Sequence, residues 1–209
     1  MAGPTLDFWQ QRFERGQTPW DRGAPHPQLQ AWLAAGVLRA GQRVLVPGCG
    51  SGHELLVLAG QGLQVRGLDY APAAVEQARA RVKAAGLGDA SAVTVEQADV
   101  LTWQPAEAEV PDVVYEQTCL CALHPDHWQR YAAQLAHWLR PGGLLLALFM
   151  QARRESAGEG VVEGPPYHGD INAMRALFPA TLWDWPAPPY AATSHAQGWQ
   201  ELAVVLRRR

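Results

Sequence analysis

Val46-Pro47-Gly48-Cys49-Gly50-Ser51-Gly52 joins an aliphatic run, Arg43 to Pro47, to a stretch of helical character from Gly52 to Ala59. Glycines at alternate places in such a turn let the backbone approach a ligand closely. Four more short aliphatic segments follow: Gln64 to Asp69, Ala92 to Glu96, Asp112 to Glu116 and Leu144 to Met150. They read as buried parallel strands. Between them lie helical stretches, Pro72 to Ala85 with Gly86 just past its end, and Pro125 to Leu139 closed by Pro141-Gly142-Gly143. Strand and helix alternate, which predicts an α/β fold with helices on both faces of the sheet. Downstream, Asp170 to Phe178 reads as a helix, and Thr181 to Trp185 and Trp199 to Leu206 as a closing pair of strands. Gln151 to Gly169 is rich in Gly and charge and reads as a loop. No repeat or internal boundary interrupts the pattern, so one domain over residues 1–209 is expected.

Composition narrows the partners. Of 209 residues 48% are apolar and 18% charged, enough for a packed core. The net charge of −3 offers no general attraction for nucleic acid or an anionic membrane. The longest apolar runs, such as Leu144 to Met150, fall well short of the roughly 18 residues of a membrane helix, and MAGPTLDFWQ lacks a signal pattern. Cys49, Cys119 and Cys121 are too few for a disulfide framework. The expectation is a cytoplasmic protein, monomer or weak dimer, acting on a small molecule.

The glycine turn does not match a dinucleotide site, because His53 stands where a third glycine belongs. Asp69 ends the second strand 21 residues after Gly48, where a carboxylate can accept hydrogen bonds from both ribose hydroxyls. Asp99 follows the third strand, placed to accept from an adenine amino group, with the Val100 amide free to donate to the ring.

With these residues the chain resembles the class I S-adenosylmethionine-dependent methyltransferases, and more narrowly the thiopurine S-methyltransferase family. The stretches that carry the resemblance are Phe8-Trp9 to Phe13, Thr18 to Gly23, the Gly48 loop, Tyr115 to Pro125, and Gly164-Pro165-Pro166-Tyr167. Within the family the likeness is to the halide, thiocyanate and thiol branch; Gly48 stands where the thiopurine branch has leucine, and Gln117 where it has a cofactor-contacting arginine. It implies a Rossmann-like, seven-stranded, mostly parallel sheet with an antiparallel last strand, and S-adenosylmethionine as cofactor. It also implies cofactor contacts from Gly48, Gly50, Asp69, Asp99, Val100, Glu116 and Gln117. Residues 1–25 would cover the cofactor, with Trp9, Phe13 and Trp20 as the aromatic faces near its sulfonium.

Tyr115, Tyr167 and His26 are the candidates for orienting or deprotonating the acceptor, with His168 behind them. No strong base is evident. An ionised sulfur or halide needs only to be held in line with the methyl carbon and kept from water. A thiol would then depend on its own ionisation in solvent. His53-Glu54, His124-x-x-His127 and Glu116 have no third ligand at tetrahedral spacing, so no metal is expected. An amino-methyltransferase would show Pro-Pro-aromatic after the fourth strand, where this chain has Glu116-Gln117-Thr118-Cys119. A module that only binds S-adenosylmethionine, or an enzyme for a small amine or hydroxyl, uses the same cofactor residues.

Overall fold

Residues 3–87, 92–195 and 197–209 are described by a computed structural model; Met1 and Ala2 of the predicted covering segment lie outside them. Strands β1 (Arg43–Pro47), β2 (Gln64–Asp69), β3 (Val93–Gln97), β4 (Val113–Gln117) and β5 (Leu144–Gln151) run parallel in the order β3-β2-β1-β4-β5. In β5 the six positions from Leu145 to Met150 are all buried, as a strand covered on both faces requires.

Three strands complete the edge: β6 (Trp183–Asp184), β7 (Ala191–Ser194) and β8 (Gln200–Arg208). β8 runs antiparallel to β5, from Leu144 opposite Arg207 to Gln151 opposite Gln200. β6 pairs with the far end of β8 and completes a seven-stranded path, β3-β2-β1-β4-β5-β8-β6, with its carboxyl-terminal strand antiparallel as the resemblance implies. β7 is an eighth strand among the described residues, pairing with β8 from Ala203 to Gln200. Its residues, Ala-Ala-Thr-Ser, carry no apolar alternation, so backbone pairing to β8 makes the strand.

The sheet's two faces sort alternate residues. On one face α2 (Pro27–Ala34), α3 (His53–Gly60) and α4 (Pro72–Ala84) cover Val44, Val46, Val65, Val113, Tyr115, Leu146 and Leu148. On the other, α6 (Trp128–Trp138) and α7 (Ile171–Leu177) cover Leu45, Leu68, Val114, Leu145, Ala147 and Phe149. α2 was not anticipated. His26 caps it, Nδ1 accepting the Gln28 N–H at 3.0 Å, Pro27 opens it, and Leu29 and Trp32 bury one face. The predicted Pro125 helix starts as a single 3₁₀ turn, Pro125–His127, and a short α5 (Cys119–Ala122) precedes it. At the amino end α1 (Leu6–Glu14) lies against α4, where Phe13 packs with Ala71, Ala73 and Ala74.

Candidate active site

A cavity of about 840 Å³ opens at the carboxyl ends of β1, β2 and β4, under α1. Its floor is the glycine turn. Gly48 and Gly50 both have left-handed backbones, φ +62 and +53, which glycine adopts without steric cost. A Cβ on Gly48 would lie 3.0 Å from Cys119 Cβ, so the turn can approach the β4–α5 junction only because it has no side chain there.

Asp69 ties this turn to the end of β2. Its Oδ2 accepts the Gly50 N–H at 2.9 Å and its Oδ1 the Ala71 N–H at 3.0 Å. Burial pushes its pKa above the usual carboxylate value, against those backbone bonds. The Tyr70 N–H acts on the same carboxylate, and of its four lone-pair sites these backbone donors leave room for a ligand hydroxyl. Asp99 and Val100 line the same wall, Asp99 accepting the Leu101 N–H on Oδ1 at 2.9 Å.

The roof is aromatic. Trp20 meets Trp9 edge to face at 5.4 Å between ring centres and Phe13 at 6.0 Å. Two bonds fix α1 to α4: Gln10 Oε1 accepts the Ala73 N–H at 2.9 Å, and the Phe13 carbonyl accepts from Gln77 Nε2 at 3.2 Å. Asp21 continues the roof to the floor, accepting from Ser51 Oγ at 2.6 Å and from the Gly23 N–H at 2.7 Å.

At the end of β4, Tyr115 and Gln117 share one face and the Tyr115 hydroxyl donates to Gln117 Oε1 at 2.9 Å. Both line the cavity. Thr118 follows with φ +63, a left-handed backbone in a non-glycine residue, which turns the chain around the cavity into α5.

Some of the predicted residues stand outside the cavity wall. Glu116 lies between Tyr115 and Gln117 on the strand, so its side chain leaves by the opposite face and Oε1 accepts the Leu120 N–H of α5 at 2.6 Å. His26 is fully buried. Its Nε2 donates to Glu201 Oε2 at 3.0 Å while Nδ1 accepts from Gln28, so both nitrogens are engaged. Tyr167 is buried against His124, with ring centres 5.3 Å apart, and its N–H donates to the Cys121 carbonyl. His168, too, is absent from the wall.

Other residues come to the site unannounced. Arg22 donates through Nη2 to the Ser194 carbonyl and lies 3.8 Å from Glu201 Oε2. His195, buried and stacked on Trp199, lines the wall with Arg22 and Glu54. Arg22 sits in the Thr18 to Gly23 stretch, a signal available in sequence, whereas nothing local marks His195. Cys49, Cys119 and Cys121 also line the wall, and burial pushes all three thiols well above their ordinary pKa, which leaves them protonated and weakly nucleophilic. Among the described residues no group of three His, Cys, Asp or Glu is placed to hold a metal.

This sheet order, with a glycine turn after β1 and acids after β2 and β3 around one cavity, defines a class I S-adenosylmethionine-dependent methyltransferase. Magnesium protoporphyrin IX methyltransferase of Synechocystis, solved with bound SAH, shares the fold at a TM-score of 0.75 and 17% identity, over 98% of each chain. The family model for thiopurine S-methyltransferase matches residues 4–185, and the chain belongs to that family. A probable thiol methyltransferase 2 of Arabidopsis thaliana is 34% identical over 178 residues, 85% of this chain and 74% of that one. Thiocyanate methyltransferase 1 of the same plant is 30% identical over 170 residues, 81% and 70% of the two chains. The cofactor is S-adenosylmethionine, and the left-handed glycine turn and the buried Asp69 fit it.

Proposed function

We propose that this enzyme transfers the cofactor's methyl group to a small soft nucleophile, a thiol, thiocyanate, a halide or a thiopurine-like sulfur, by direct in-line displacement. The observation that carries the reading is a single cavity whose wall includes both Asp69 and Asp99 and, beyond Gly48, the side chains of Tyr115, Arg22 and His195. Its volume of about 840 Å³ suits a nucleoside cofactor with a small partner. The named relatives, a thiol and a thiocyanate methyltransferase, point to sulfur acceptors.

When bound, S-adenosylmethionine supplies a methyl carbon on a positively charged sulfur. In this reading Asp69 holds the ribose diol, Asp99 and the Val100 amide the adenine, and Gly48 and Gly50 admit the cofactor close to the backbone. Trp9, Phe13 and Trp20 exclude water above it and face the cationic sulfur. Gln117 and Tyr115 bound the acceptor's end. Glu116 acts at one remove, by holding α5 in place, and His26 and Tyr167 act by holding Glu201 and His124. The chain works as a monomer or weak dimer in the cytoplasm, where its buried thiols stay reduced, and a net charge of −3 suits a small-molecule rather than a nucleic-acid substrate.

The test is turnover with methyl-labelled cofactor against iodide, thiocyanate, hydrogen sulfide, small thiols, thiopurines, amines and alcohols. Sulfur or halide acceptors are expected to be methylated. Turnover confined to amines or alcohols would sink the reading.

A further inference from the structure

Glu54, in the first turn of α3, is a cavity-wall carboxylate that no sequence pattern assigns to the cofactor. Its Oε1 accepts the His26 backbone N–H at 3.0 Å, and among the described residues Oε2 receives no hydrogen bond from another residue. Other acids of the wall are occupied or distant. Asp21 holds Ser51 and the Gly23 N–H, Asp69 takes a backbone N–H on each oxygen, and Asp99 stands at the adenine end. Asp7 is exposed on α1.

The titratable groups whose charges act on or respond to Glu54 come from four elements: His53 on its own helix, His26 ahead of α2, Cys49 of the glycine turn and Tyr115 of β4. Arg22 of the roof loop and Glu201 of β8 lie around the same tyrosine. Burial raises the Glu54 pKa above the usual carboxylate value, opposed by the His26 N–H and the two imidazoles. Two donors of the same cavity wall are unpartnered among the described residues. His195 Nδ1 accepts the Gln197 N–H at 3.2 Å, which puts its proton on Nε2, and that nitrogen and Arg22 Nε are buried with no partner among the described residues. A carboxylate that can take a proton and two N–H groups that can meet a developing anion are complementary to a group that is first a donor and then an anion. A thiol is such a group, whereas thiocyanate or iodide has no proton to give.

We propose that Glu54 is the proton acceptor for thiol substrates, a role that rests on the methyl-transfer reading above. The acceptor binds as R–SH. Its S–H bond breaks with the proton going to Glu54 Oε2. The sulfur lone pair forms the new bond to the methyl carbon while the old carbon–sulfur bond breaks and returns its electrons to the cofactor's sulfur. The products are a thioether, the neutral demethylated cofactor and a protonated Glu54, which loses its proton to solvent. Arg22 Nε and His195 Nε2 stabilise the sulfur as it loses the proton.

The experiment compares 2-mercaptoethanol with thiocyanate in one preparation, following kcat/KM against pH. In the wild type the thiol profile should show an acid limb and level off well below the thiol's own pKa, and the thiocyanate profile should lack that limb. In Glu54→Gln the ratio of thiol to thiocyanate turnover should fall about 100-fold, and the residual thiol rate should climb with pH to the thiol's own pKa. Glu54→Asp should keep the acid limb. An unchanged ratio in Glu54→Gln, or equal loss with both acceptors while calorimetric binding of S-adenosylhomocysteine is intact, overturns the proposal. So does a wild-type thiol rate that climbs all the way to the thiol's pKa, a result that depends on no variant folding. A wild type that turns over neither acceptor overturns the functional reading itself, and this role with it.

Discussion

Burial raises the pKa of Asp69 and of Glu116, but the two carboxylates serve opposite faces of the sheet. Asp69 bridges the glycine turn and the ligand wall, so Asp69→Ala is expected to weaken both S-adenosylmethionine and S-adenosylhomocysteine by about 1.5 to 3 kcal/mol in calorimetry, through the loss of charge-assisted bonds in a dry site. Glu116 is 1% exposed and burial pushes its pKa up to about 7, with the Leu120 N–H opposing. Between pH 4.5 and 7 the folded chain therefore keeps a proton that the unfolded chain has released, and stability falls as pH rises through that window. Glu116→Gln still accepts the Leu120 N–H but cannot ionise. Denaturant titrations at pH 5 and pH 8 should show the wild type losing up to about 3 kcal/mol more than the variant over that span; parallel losses would contradict it.

Among the elements, α1 is held to the body of the fold by few side chains. Phe13 is its one buried side chain, and its cross-links to α4 are the two bonds from Gln10 and Phe13. Its other aromatics face the cavity, so much of its contact area is to be gained from the ligand. Hydrogen exchange around Trp9 and Trp20 should slow on adding S-adenosylhomocysteine; equal protection with and without it would assign these rings to packing alone. Elements differ in how legible they are. The five parallel strands and α4 announce themselves through aliphatic runs and Pro and Gly at their ends, all local signals. α5 and β7 are four residues each, and hydrogen bonds that no apolar pattern announces form them: the Glu116 carboxylate, four residues back, accepts the Leu120 N–H in one case, and the edge of β8 pairs in the other. Local pattern cannot report a partner supplied by another strand.

For the molecule as a whole, ligand binding and folding are linked, because the cavity wall is assembled from the ends of β1, β2 and β4 together with α1 and the turn before β8. S-adenosylhomocysteine at a hundred times its Kd should stabilise the fold by about 2.7 kcal/mol and raise Tm by roughly 5 to 10 °C in scanning calorimetry. NAD at the same concentration should leave Tm unchanged, since His53 occupies the place of the third glycine and sits 3.1 Å from Asp21. The sequence by itself determined the α/β class, the strand and helix alternation, the glycine turn and the acids that follow β2 and β3, since each is a property of a few consecutive residues. It also held the family resemblance in the stretches from Phe8 to Gly23 and from Tyr115 to Pro125. Only the tertiary structure decided which side chains face the cavity. His26 is turned away by Glu201, 175 residues further along the chain, and its backbone N–H fixes Glu54 instead. His195 reaches the wall only because β8 runs back beside β5 and β7 pairs in turn with β8. Such pairings are set by packing and hydrogen bonding between distant segments, and no local pattern of residue types carries them.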